Sequence, residues 1–186
     1  MPVYNQEELV LRAIKSVPNR EDIELIIVDD CSTDNTYQVL KKIPNIILLH
    51  NEQRIRAGNS INRGIEIARG EYILQLDSDD YLISDKLEKI LDIADCDLVF
   101  FNMQINDGSI WSPNTDKSMC DHTCLYKRTI IGDSRLANTI RAAGWYFHQD
   151  IIKKPHTERY TNELVYMYNY PHEGSTLDLY SKGLLV

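Results

Sequence analysis

The chain has 186 residues, 43% of them apolar and 26% charged, and carries a net charge of −8. That length supports one domain with a real core, and no apolar run approaches the roughly 18 residues of a helical membrane span. The acidic balance argues against duplex nucleic acid, whose phosphates are bound by Lys and Arg, and calls for a cation wherever the protein meets a diphosphate.

The opening residues Met1-Pro2-Val3-Tyr4-Asn5 lack the basic and apolar regions of a signal peptide, so a cytoplasmic protein is expected. Val10, Ala13, Ile14 and Val17 fall at helical spacing. Ile23 to Val28 reads as a buried strand ending at Asp29-Asp30. Ser32-Thr33-Asp34 then offers N-cap chemistry for a helix to about Lys42. Ile46 to Leu49 is a second strand. Ile61, Ile65 and Ala68 mark a further helix, with Gly70 as its C-terminal cap. Tyr72 to Leu76 is a third strand. Ser84 is placed to cap a helix with inner face Leu87, Ile90, Leu91 and Ala94, and Leu98 to Phe101 is a fourth strand. This alternation predicts an α/β fold with a mostly parallel twisted sheet and helices on both faces. Ligands in such sheets bind beyond the carboxyl ends of the strands.

After residue 102 the pattern changes. Asn106 to Asp121 is polar and reads as loops or a hairpin, residues 134 to 154 as helix interrupted at Gly144, and Leu164 to Tyr168 as a strand before an irregular tail from Pro171. The expected organisation is a single domain over 1–186, with a donor half at 1–102 and an acceptor half at 103–186. Of the four cysteines, Cys120 and Cys124 flank His122 like half of a zinc site, but no second pair lies nearby.

Asp77-Ser78-Asp79-Asp80 puts three carboxylates in four residues at a strand end. Many such turns are only solvated caps. Here the turn lies on the expected binding edge, and a divalent cation would relieve the repulsion while bridging to phosphate oxygens. Asp29-Asp30 can accept from a ribose hydroxyl or a base N–H, or can simply cap the next helix. Tyr4 can stack on a base. His122, His148 and His172 are possible ligands individually, though a lone His is more often packed or exposed. Trp111, Trp145 and Tyr146 are candidates for a sugar platform, with the same reservation that such aromatics usually pack cores.

In order and spacing, Pro2-Val3-Tyr4-Asn5, Ile27-Val28-Asp29-Asp30-Cys31-Ser32-Thr33-Asp34, Asn62-Arg63-Gly64-Ile65, and Gly70-Glu71-Tyr72-Ile73 leading into Asp77-Ser78-Asp79-Asp80 closely resemble the family 2 glycosyltransferases. The resemblance is strong over residues 2–90 and looser beyond. It implies the GT-A fold and transfer of a sugar from a nucleotide-diphosphate sugar, commonly a UDP-sugar, with inversion. The implied acceptor is a hydroxyl of a glycan, a lipid-linked glycan or a protein. It implies nucleotide-sugar contacts at Pro2, Tyr4, Asp29, Asp30, Asn62, Asp77, Ser78 and Asp79, and Mn2+ or Mg2+ held by Asp79, Asp77 and Asp80. It also carries cell-surface polysaccharide synthesis, with peripheral association at the inner membrane face.

Three departures stand beside that resemblance. The family's apolar strand before Pro-Val-Tyr-Asn is nearly absent here, so the first strand is expected to be truncated. Ile61 stands where many relatives have an Arg, leaving Arg54, Arg56 or Arg63 as sources of positive charge. Relatives carry a Glu-Asp pair shortly before an aromatic helix, and the matching Ala142-Ala143-Gly144-Trp145-Tyr146-Phe147 has no carboxylate. Asp133 and Asp150 are then the nearest candidates for the general base. The competing reading is a non-catalytic nucleotide-sugar-binding module.

Overall fold

The computed structural model describes residues 1–115, 121–139 and 143–170. The chain opens with β1 (Pro2–Val3), α1 (Leu9–Ser16), β2 (Leu25–Asp29), α2 (Thr36–Leu40) and β3 (Ile46–His50). These strands form a parallel three-stranded sheet in the order β1-β2-β3. Val3, Val10, Ile27 and Leu40 close a small core under it, as the helical spacing of α1 and the apolar run of β2 require. The first strand is two residues long.

Next come α3 (Ala57–Ile67), β4 (Tyr72–Ile73), β5 (Tyr81–Leu82), α4 (Ser84–Ile93) and β6 (Leu98–Ile105). They are followed by β7 (Ile110–Trp111), β8 (Cys124–Lys127), α5 (Arg128–Ile131), α6 (Ala143–Ile152) and β9 (Glu158–Tyr168). The second sheet runs β4-β8-β6-β9-β5, with β7 paired to β6. Parallel pairing is confined to the first sheet and to β6 with β9; the remaining pairs are antiparallel, so the α/β sheet as a whole is mixed. β6 is buried along most of its length, between one core containing Val99, Phe101 and Met103 and another containing Leu98 and Phe100. Strands β4, β5 and β6 precede residue 102 yet pair with β8 and β9, so the two halves of the sequence interleave.

Several boundaries differ from the sequence expectation for local reasons. The cap residue of α2 is Asn35 rather than one of Ser32-Thr33-Asp34, and the helix is shorter than expected, although Asp34 Oδ1 accepts the Thr36 N–H at 2.9 Å. Gly70 is not a left-handed cap: α3 ends at Ala68, and the Arg69 and Gly70 N–H groups donate to Glu24 Oε1 at 2.5 and 2.8 Å. Ser84 is the first helical residue of α4 rather than its cap, which is Ile83. The helix expected over 134–154 is α6 alone, with its described part beginning at Ala143. Asn106 to Trp111 makes the expected hairpin, turning at Gly108 with φ +86°. The tail from Pro171 lies outside the described residues.

Between β2 and the chain around β4 lies an apolar cleft of about 470 Å³, lined by Leu25, Ile26, Ile65, Ile73, Leu74 and Leu125 among others. Among the described residues no helix is long and apolar enough to cross a membrane.

Candidate functional site

The site is assembled where β1 and β2 end and where the chain beyond β4 reaches Asp77. Carboxylate oxygens of Asp77, Asp79 and Asp80 lie within 4.8 Å of one another. Three hard oxygen donors brought to one point repel when ionised, and they suit Mg2+ or Mn2+, which take carboxylates together with substrate phosphates. The three are not equivalent. Asp80 is 1% exposed, and both its oxygens are engaged: the Tyr166 hydroxyl donates to Oδ2 at 2.6 Å and the Asn169 N–H to Oδ1 at 2.8 Å. Burial, followed by the charges of Asp77 and Asp79, pushes the Asp80 carboxyl up to about 7. The Asp79 carbonyl accepts from the Arg12 guanidinium at 2.5 Å, which ties the turn to α1. Ser78 is buried within it.

Asp77 is held from the other half of the chain. Its N–H donates to the Tyr166 hydroxyl at 3.2 Å, the Gln75 amide donates to Oδ1 at 3.2 Å, and His122 Nε2 lies 3.1 Å from Oδ2. The other imidazole nitrogen, Nδ1, lies 3.2 Å from Asp121 Oδ2, an ion-pair contact short of an aligned hydrogen bond. Burial alone would lower the His122 pKa, but the two carboxylates raise it well above the usual histidine value. Burial would likewise raise Asp77 and Asp121, yet the His122 charge holds both below the usual carboxylate range.

At the first sheet's edge Asp29 is fully buried. Its Oδ2 accepts from the Ser32 N–H at 3.2 Å and from His50 Nδ1 at 2.7 Å, while Oδ1 is buried with no hydrogen-bond partner among the described residues. An orphaned buried acceptor is uncommon. Asp30 is saturated by the Asn51 amide and the N–H groups of Ile55 and Arg56, each at 2.8 Å. It thereby fixes the loop that carries Arg54, whose guanidinium lies 3.9 Å from the centroid of the Tyr4 ring. The Tyr4 turn is zipped to the Asp29 loop by Asn5, whose Oδ1 accepts the Thr33 N–H at 2.8 Å and whose own N–H donates to Ser32 Oγ at 3.0 Å. Positive φ values at Asn5 (+52°), Cys31 (+64°) and Arg56 (+73°) cluster here, as backbone strain often does at functional sites.

The remaining sequence candidates are distributed more widely. Pro2 is buried in β1, paired with Val28. Asn62 on α3 makes a two-point bond to the Leu136 backbone, donating to its carbonyl and accepting its N–H, each at 2.9 Å. Asp133 is exposed in the loop after Gly132. Asp150 is exposed on α6 and accepts from the Ser134 hydroxyl, which in turn accepts from Lys154 Nζ at 2.8 Å. Arg63 donates to the Asn51 side chain. Trp145 and Tyr146 stand exposed on α6 with ring centroids 5.0 Å apart, outside the core. His148 is a core residue bonded to the Tyr126 hydroxyl. Cys124 is buried in β8; Cys120 and His172 lie outside the described residues.

The sequence alone offers His122 as a possible acceptor-site or metal residue and gives Asp121 and Tyr166 no role. Asp77 and His122 are 45 positions apart, so no spacing rule could join them; the Gly144 in an aromatic helix was the available signal.

The family model described as "Glycosyl transferase family 2" matches residues 1–183. WcaA of Escherichia coli (strain K12), named for glycosyl transfer in colanic acid biosynthesis, is 32% identical over 164 residues, covering 80% of this chain and 57% of that protein. The Escherichia coli UDP-Glc:alpha-D-GlcNAc-diphosphoundecaprenol beta-1,3-glucosyltransferase WfaP is 34% identical over 103 residues, covering 53% of this chain and 41% of WfaP. The chain thus spans roughly half the length of these curated relatives. The crystal structure of S. aureus TarS 1-349 in complex with UDP-GlcNAc superposes with a TM-score of 0.82 at 20% identity, over 95% of this chain and 59% of that one.

Proposed function

The chain belongs to glycosyltransferase family 2 and is a glycosyltransferase of the GT-A fold, and from that premise we propose that it moves a sugar from a UDP-sugar to a hydroxyl of a glycan, lipid-linked or protein acceptor, with inversion and with a divalent cation. The observation that carries this reading is the convergence of the Asp77, Asp79 and Asp80 carboxylates; the Tyr4–Arg54 contact and the unpartnered Asp29 Oδ1 at the ends of β1 and β2 support it. The UDP-GlcNAc bound by TarS and the UDP-Glc and diphosphoundecaprenol substrates in the name of WfaP support the donor and acceptor classes.

In this reading Tyr4, sandwiched under Arg54, stacks on the nucleobase, and Asp29 Oδ1 accepts a base or ribose donor. Asp30 holds the surrounding loop. Asp79 and Asp77 hold Mn2+ or Mg2+, with Asp80 supporting them from its bonds to β9. Bound there, the cation supplies Lewis-acid stabilisation of the diphosphate charge. A carboxylate takes the acceptor proton; of the two candidates Asp133 is the more available, because the Ser134 hydroxyl engages Asp150. A membrane-face location and the division into donor and acceptor halves belong to the same proposal.

The test is binding of UDP to the purified protein by calorimetry, with and without Mn2+, together with donor hydrolysis. Asp79→Asn is expected to weaken Mn2+-dependent UDP binding by more than about tenfold. Unchanged binding in that variant would remove the cation from Asp79. The segment Ala142-Ala143-Gly144-Trp145-Tyr146-Phe147 holds no carboxylate, and this favours the non-catalytic module as the second reading; it predicts UDP-sugar binding without hydrolysis or transfer.

A further inference from the structure

Gly144 occupies the first turn of α6, where an ideal Cβ would lie 1.6 Å from Asp121 Oδ2, 2.3 Å from its Cγ and 2.9 Å from its Cβ. The Asp121 carboxyl therefore fills the space that any side chain at position 144 would need. Rotating Asp121 would clear its carboxyl but leave its own Cβ too close. The glycine conformation is ordinary, so sterics rather than φ explain its presence. Asp121 is buried, 8% exposed, and its carboxyl faces His122, which reaches Asp77 with its other nitrogen. The result is a continuous chain from a helix seat, through a carboxylate and an imidazole, to a carboxylate of the acidic turn. His122 is further fixed by the rings of Tyr166 and Tyr168, with centroids 5.6 and 6.1 Å away.

We propose that Asp121 is a positioning residue of the donor site: seated against Gly144, it holds His122 on Asp77 and so fixes the carboxylate that faces the cation. The inference rests on the proposed cation site at the acidic turn. Groups behind metal ligands act in this way by orienting them, and their loss typically costs roughly 10–100-fold in metal affinity. The role also accounts for a glycine inside a helix, where it is otherwise unfavourable relative to alanine.

The test is Mn2+ affinity measured by electron paramagnetic resonance in the presence of UDP, with thermal unfolding as a check on the fold. Asp121→Ala is expected to weaken Mn2+ roughly tenfold or more while the protein stays folded. Gly144→Ala should do the same in the native background and cost much less in Asp121→Ala, where the carboxyl is gone and only the residue-121 Cβ, at 2.9 Å, remains close. Equal effects of Gly144→Ala in both backgrounds, or native Mn2+ affinity in Asp121→Ala, would overturn the proposal. His122→Gln gives an independent arm should a Gly144 variant fail to fold: it must weaken Mn2+ and make Asp121→Ala silent, and an additive loss sinks the idea. Absence of Mn2+ binding by the native protein would instead remove the cation site itself.

Discussion

Asp80 gives the site a signature in solution. Its carboxyl is pushed up to about 7, first by burial and then by Asp77 and Asp79. In the unfolded chain it ionises near the ordinary aspartate value of about 4. Between those values the folded form keeps a proton that the unfolded chain has released, so this group makes stability fall as pH rises from about 4 towards 7. Asp77 and Asp121 are shifted the other way, and their contribution fades only as pH drops below the ordinary aspartate range. The His122 contribution is complete below the unfolded histidine value and fades as pH climbs to its raised folded value. The window from about pH 4.5 to 5.5 therefore belongs to Asp80; above it the buried Met1 amine, lowered to about 6 by desolvation, titrates as well and with the opposite sign. Urea titrations of the metal-free protein across that window should show stability declining, and Asp80→Asn should flatten the decline. An equally steep fall in the variant would contradict this account. The acidic turn itself was legible in the sequence because its residues are neighbours. The partners that set its charge were not: Tyr166 and Asn169 come from the end of β9, and His122 from the turn before β8.

Helix α3 packs against both sheets. Its spacing was readable from Ile61 and Ile65, which pack against the second sheet's core, while a Cβ added at Gly64 would meet Ile26 and Val28 of β2 at ordinary contact distance. Its attachment was not readable, because the Asn62 amide bonds to Leu136, 74 positions away. Loss of two such half-buried bonds costs about 2 kcal/mol. Asn62→Ala should lower the unfolding free energy by about that amount in denaturant titration; a change below about 0.5 kcal/mol would mean water replaces the amide. The ends of the elements followed the same rule. Helix α1 and the inner face of α4 were set by periodicity, whereas the end of α3 depends on Glu24, and the expected strand to Leu76 is cut to Tyr72–Ile73, the length that β8 pairs.

Across the whole molecule the first sheet has its own small core, and the second sheet has two larger ones. Regions with fewer buried contacts open at lower free energy. Amides of Ile26–Val28 should accordingly exchange with deuterium by a cheaper opening than those of Leu98–Phe101, and equal protection would indicate one cooperative unit. Alternation of helix and strand made the α/β class legible. The antiparallel pairing of β4 and β5 was hidden, since each is two residues long and is defined by partners far along the chain. The apolar cleft of about 470 Å³ between the sheets has a volumetric meaning. The cleft is partly open, so only the part from which water is excluded in the folded protein is lost on unfolding, and the volume change should stay within the usual ~20–100 mL/mol. Ala68→Leu, which adds a larger side chain at the lining of the cleft, should fill part of that excluded space and raise the pressure midpoint read from tryptophan fluorescence; an unchanged midpoint would mean the cleft is already hydrated.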